Sequence, residues 1–206
     1  MKKIDVYRDL GSWYGFYFYL KIQLLKLDQY DEYLPETGTI VDMGCGYGLV
    51  ANYLALCLPN SKVTGVDLDA KRIQIASATV GSRKNIQFVN ADAISWSMQD
   101  ECSMIIMTDF LHHVSFENQK IMLQYAYDNL QDNGALIISE VDASIRPIYK
   151  YWNSCLFDII FYPLSISYFS KSSILLSILR DLGFEITLYF PKSYIFAEIV
   201  YVCRRK

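Results

Sequence analysis

Three groups of residues in this chain have types and spacings that chemistry can use. The first is the run Val41-Asp42-Met43-Gly44-Cys45-Gly46-Tyr47-Gly48. Glycine carries no Cβ, so such a loop accepts positive φ and lets its backbone approach a ligand closely. The second is a series of carboxylates, Asp67, Asp92 and Asp109, each closing an apolar run. A carboxylate in that position can accept both hydroxyls of a ribose or cap a helix. The third is the pair His112-His113, the two histidines of the chain, followed by Glu140 farther along. Imidazole exchanges protons near neutral pH, and it also serves as a plain hydrogen-bond partner for a turn.

The glycine loop taken alone fits several ligands, among them NAD, FAD and phosphates. A dinucleotide fingerprint needs G-x-G-x-x-G to seat a pyrophosphate at a helix N-terminus. Here the third glycine comes one residue early and Leu49 stands at the fingerprint position. The Gly-Lys-Ser/Thr of a Walker loop is absent. Together with Asp67, the loop indicates a nucleoside cofactor and not a dinucleotide. No metal is expected. The five cysteines (45, 57, 102, 155 and 203) are scattered, with no two at C-x-x-C spacing, whereas a zinc site needs about four ligands in short pairs.

These groups sit on alternating elements. Strands are predicted over 39–44, 62–69, 86–92, 103–110 and 135–141, with helices over 50–58, 70–80 and 118–130. Asp132-Asn133-Gly134 is expected to turn the chain into the fifth strand. A helix over 171–184 ends at Gly183, and two closing strands, 185–190 and 196–205, suit an antiparallel hairpin. The unbroken apolar core of 103–110 marks a strand buried on both faces. Alternation of strand and helix calls for a parallel sheet with helices on both faces.

The order of these motifs resembles the class I S-adenosylmethionine-dependent methyltransferases, especially the small-molecule group around the ubiquinone and menaquinone biosynthetic enzymes. The likeness rests on Asp42-Met43-Gly44-Cys45-Gly46-Tyr47-Gly48, on Asp67, on Asp92 in NADA, and on Asp109-Phe110-Leu111-His112-His113-Val114. It covers about residues 35 to 142. It implies a Rossmann-like three-layer α/β sandwich whose mostly parallel, seven-stranded sheet has an antiparallel C-terminal strand. It also implies S-adenosyl-L-methionine as cofactor. The loop residues Gly44, Cys45, Gly46 and Gly48 would pack on its methionine part, with Asp42 near the amino group. Asp67 would take the ribose hydroxyls and Leu68 would pack beside the adenine. Asp92 and Ala93 would meet the adenine edge, and Asp109 the mouth of the methyl site. His113 and His112 would stand next to that mouth, as a base or as scaffold for the turn. Asp109-Phe110-Leu111-His112 lacks the prolines of the Asn/Asp-Pro-Pro-aromatic element found in amine methylases of proteins and DNA.

Two aromatic-rich segments flank this core. One holds Trp13, Phe16 and Tyr17, and the other holds Tyr149 and Trp152. They are expected to cap the cleft and wall an apolar acceptor pocket, with Pro163 breaking the second into two short helices. The expected division is a helical cap (1–34), a cofactor core (35–142), a substrate-side insert (143–170) and a closing helix and hairpin (171–206), all in one domain. The chain has 206 residues, 52% hydrophobic and 20% charged, with a net charge of −3. That charge offers nucleic acid no footing. The expected acceptor is therefore a hydrophobic small molecule, methylated on oxygen or carbon. A cofactor-binding regulator without turnover, and a protein or RNA acceptor, are the alternatives. The opening MKKIDVYRDL does not read as a secretory signal and the thiols read as reduced, which suggests a cytoplasmic protein, with monomer and homodimer both open. Lys21, Lys26, Arg146 and Lys150 allow a sparse peripheral membrane contact.

Overall fold

The computed structural model describes residues 7, 21, 27–142, 144, 148–161, 167–168, 171–190 and 198–206, with the backbone alone at 157–161. Trp13, Phe16, Tyr17, Lys26, Arg146 and Pro163 lie outside the described residues. Two compact units divide the chain, residues 1–104 and 105–206.

The first unit opens with a 3-10 turn, Leu27–Tyr33. It continues through β1 (Thr39–Met43), α1 (Leu49–Cys57), β2 (Lys62–Asp67), α2 (Ala70–Ala78) and β3 (Ile86–Asn90). β1 and β3 both pair parallel with β2. Short connections force this arrangement, because each helix must pack back onto the sheet it leaves. Asp69 begins α2 by accepting hydrogen bonds from the Lys71 and Arg72 amides, the usual work of an N-cap carboxylate. Between β3 and the next strand, residues 91–101 form turns and bends with no helix, so the strict alternation is broken once.

β4 (Cys102–Thr108) leads into the second unit and is buried along its whole length, as its apolar run requires. A 3-10 turn (Leu111–His113), α3 (Phe116–Asn129), β5 (Leu130–Val141), α4 (Tyr149–Phe161), α5 (Ser172–Asp181), β6 (Glu185–Tyr189) and β7 (Glu198–Arg204) follow. β7 runs antiparallel to both β5 and β6. The seven strands are ordered β3-β2-β1-β4-β5-β7-β6. This is the mostly parallel sheet with an antiparallel C-terminal strand that the sequence resemblance implies.

One element differs from expectation. The turn predicted at Asp132-Asn133-Gly134 is instead part of β5, which starts at Leu130 directly behind α3. Asn133 takes a φ of 61° there, and its amide donates to the Arg205 carbonyl. Asparagine tolerates the left-handed region well, so the same residue that suggests a turn lets the strand kink without stopping. Among the described residues, no helix is long and apolar enough to cross a membrane.

Candidate functional site

In the first unit the glycine loop is stitched to the end of β2. The Gly44 and Cys45 amides donate to the Val66 carbonyl at 2.9 and 3.0 Å. Gly48, at φ 78°, occupies the N-cap position of α1 without a capping side chain. Asp42 supplies the missing acceptor from β1, its Oδ2 taking the Ala51 amide at 3.0 Å. A carboxylate there also meets the positive end of the helix dipole. Asp42 is only 1% exposed, and burial drives its pKa up from 3.8 to about 7. The Ala51 amide pulls the other way, and the neighbouring Asp67 charge adds a further push upward. Its side chain therefore serves the start of α1 from within the core.

Asp67 is held on both oxygens. Oδ2 accepts the Gly46 amide and Oδ1 the Asp69 amide, each at 2.8 Å. An ionised carboxylate has about four acceptor positions, so an oriented pair remains for a diol. Leu68 beside it is 72% exposed, a large apolar side chain offered to solvent. At Gly46, with φ 53°, a Cβ would meet nothing within 4 Å, whereas one on Gly48 would lie 2.4 Å from the Phe88 ring. Gly48 is thus required by packing and Gly46 borders open space. The Cys45 sulfur lies where a Cβ on Gly65 would clash at 2.9 Å, and burial pushes its thiol well up, so it is an inert packing group. Asp92 is exposed and closes its own turn, Oδ1 accepting the Ile94 amide at 3.0 Å, while Ala93 is buried.

A polar network behind the loop escaped the sequence reading. The buried Tyr7 hydroxyl donates to the Tyr47 carbonyl at 2.9 Å and accepts from Asn52 Nδ2 at 2.8 Å. Asn52 also reaches the Gly48 carbonyl and Thr79 Oγ1, each at 2.8 Å, and Arg83 donates to its carbonyl oxygen. The available signal was Asn52 itself, a lone amide in the apolar VANYLALCL, since buried amides are kept only with partners.

In the second unit the residues after β4 form a constrained turn. Asp109 takes a φ of 56°, a conformation non-glycine residues rarely hold without surrounding support. Its amide donates to the Ser139 carbonyl at 2.8 Å. Glu140 Oε1 accepts the Phe110 and Leu111 amides at 3.0 and 2.5 Å, and Oε2 lies 2.6 Å from His112 Nδ1. Gln119 donates to the Leu111 and Val114 carbonyls, both at 2.9 Å. His112 is 2% exposed, so it is part of the turn's interior. His113 is half-buried and rests on the His112 ring with centroids 4.1 Å apart. Tyr149, Trp152 and Leu156 lie exposed on α4, with Ile148 exposed just before it, while Ser154 is turned inward.

Residues 40–134 match the family described as a methyltransferase domain. That segment, less than half of the chain, is similar to methyltransferase domains. Over 117 residues the chain is 28% identical to the ribosomal RNA large subunit methyltransferase G of Pseudoalteromonas translucida, covering 52% of this chain and 31% of that protein. Over 68 residues it is 38% identical to the release factor glutamine methyltransferase of Chlorobaculum tepidum, covering 32% and 23%. The chain thus spans less than a third of the length of these two relatives. The fold resembles that of magnesium protoporphyrin IX methyltransferase from Synechocystis, solved with bound S-adenosylhomocysteine. The TM-score is 0.68 at 19% identity, over 88% of this chain and 82% of that one. The open border at Gly46, the pinned Asp67 and the exposed Leu68 fit a nucleoside cofactor such as S-adenosylmethionine.

Proposed function

We propose that this protein transfers a methyl group from S-adenosylmethionine to a hydrophobic small molecule, on oxygen or carbon, as a single-domain enzyme. When bound, the cofactor supplies a methyl on a sulfonium that leaves readily, so the protein's task is alignment and exclusion of water. In this reading Asp67 accepts the ribose hydroxyls, Leu68 covers one face of the adenine and Asp92 accepts at its edge. Gly44, Gly46 and Gly48 give the loop its path around the methionine part. Asp109 and His113 belong to the acceptor side, and His112 supports them.

The observation that carries the cofactor assignment is Asp67. Two backbone amides orient its carboxylate and leave it acceptor capacity beside an open glycine. The acceptor class rests on α4, whose exposed Tyr149, Trp152 and Leu156, with Ile148 just before it, form an apolar stripe suited to an apolar ligand. The ribosomal RNA and release factor relatives support a macromolecular acceptor as the second reading; the net charge of −3 weighs against RNA.

Calorimetric titration tests the first point. Asp67→Ala should weaken S-adenosylhomocysteine binding by roughly 1.5–3 kcal/mol, since it removes charge-assisted hydrogen bonds. Unchanged affinity would refute the ribose assignment. For the acceptor, methyl-labelled cofactor incubated with cell extract should label the organic-extractable fraction. Label confined to RNA or protein would replace this reading by the second.

A further inference from the structure

Glu140 carries more of the acceptor-side turn than a lone strand-end acid would. It is 7% exposed, and a buried carboxylate persists only with donors around it. Its three polar contacts come from consecutive residues, Phe110, Leu111 and His112. The preceding residue, Asp109, is held by the carbonyl of Ser139, the neighbour of Glu140 in β5. Four successive residues after β4 are therefore templated by two successive residues of β5. The first of the four is the one with the left-handed backbone.

We propose that Glu140 is a positioning residue of the methyl-transfer site. Its carboxylate fixes His112 as the Nδ1–H tautomer and holds the 109–111 backbone in the conformation that presents Asp109 and His113. The proposal rests on the methyltransferase reading above. Its chemical basis is that an ionised carboxylate only accepts. Oε1 already serves two amides, so the short contact from Oε2 needs a proton on Nδ1, which leaves Nε2 as the acceptor nitrogen of the neutral ring. Because His113 rests on the His112 ring, fixing one ring sets the seat of the other. A cavity of about 10 Å³, the room of roughly one water, lies among Leu111, His112, Gln119, Glu140, Tyr168 and Tyr201. Repacking that displaced Glu140 would open this space further.

Two histidines in the whole chain make the test direct. Protein labelled with ¹⁵N in histidine gives two ring systems in a long-range ¹H–¹⁵N correlation, and His112→Ala assigns them. At alkaline pH the wild-type His112 ring should show a protonated Nδ1. In Glu140→Gln the amide group donates to Nδ1, so the ring should convert to the Nε2–H tautomer, while S-adenosylhomocysteine affinity stays within about threefold. An Nε2–H ring in the wild type, or a ring in Glu140→Gln that keeps its Nδ1 proton, would overturn the assignment. The wild-type spectrum decides the tautomer even where the variant does not fold. Failure of the wild type to bind S-adenosylhomocysteine would defeat the methyltransferase reading and leave the tautomer result standing.

Discussion

The buried Asp42 gives the protein a pH dependence that one substitution should erase. Burial raises its pKa from 3.8 to about 7. Between about pH 4 and pH 7 the folded protein therefore keeps a proton that the unfolded chain has released. Stability from this group is full below the unfolded value and is lost as pH rises through about 7, because the charged form must then be held away from water. The interval is about three pK units at about 1.4 kcal/mol each, so the loss approaches 4 kcal/mol. Asp42→Asn keeps an oxygen for the Ala51 amide, which the carboxylate accepts at 3.0 Å, but it cannot ionise. Urea unfolding of both proteins from pH 4.5 to 8.5 separates this group from all other titrations, which cancel in the difference. The variant should gain on the wild type steadily up to about pH 7 and then level off. With an m-value of about 2–3 kcal/mol/M, the gap should reach more than about 1 M in midpoint. Parallel curves across the range would show that Asp42 is not held in a desolvated site, and the reasoning would fail.

Three further substitutions probe the loop. Tyr7→Phe removes a buried hydroxyl with two partners and should cost about 1–2 kcal/mol, read as a fall of roughly 2–8 °C in Tm. An unchanged Tm would mean that the Tyr7 contact is not formed in solution. Gly46→Ala and Gly48→Ala should differ in kind. The second forces a Cβ into Phe88 and should lose roughly 2–5 kcal/mol of stability. The first costs about 1 kcal/mol yet should weaken S-adenosylhomocysteine binding more than tenfold, by calorimetry. Equal effects on stability would refute the distinction between packing glycine and ligand-facing glycine.

Among the described residues, the alternation of apolar runs with amphipathic stretches was enough to locate the strands and four of the helices, because period and punctuation are local properties. The kinked start of β5 was misread for the same reason: Asp132-Asn133-Gly134 is turn chemistry locally, and only a facing strand shows that Asn133 can bend without ending it. The long helix α4 was legible as an apolar segment, but which of its sides faces outward was not.

The candidate site divides along the same line. Asp42, the three loop glycines, Asp67, Asp92 and the Asp109–His113 run could be singled out as candidates because residue type and order along the chain are local properties. What each carboxylate does was not visible. Asp42 turns out to cap a helix from within the core, and Asp67 is oriented by Gly46 and Asp69. Glu140, a side candidate in the sequence, proves to organise the turn that holds both histidines. Sequence fixes which groups exist and the elements that carry them, since those follow from local backbone and solvent preferences. Tertiary structure alone decides which donor meets which acceptor, because residues such as Phe110 and Glu140 become neighbours only when the chain folds.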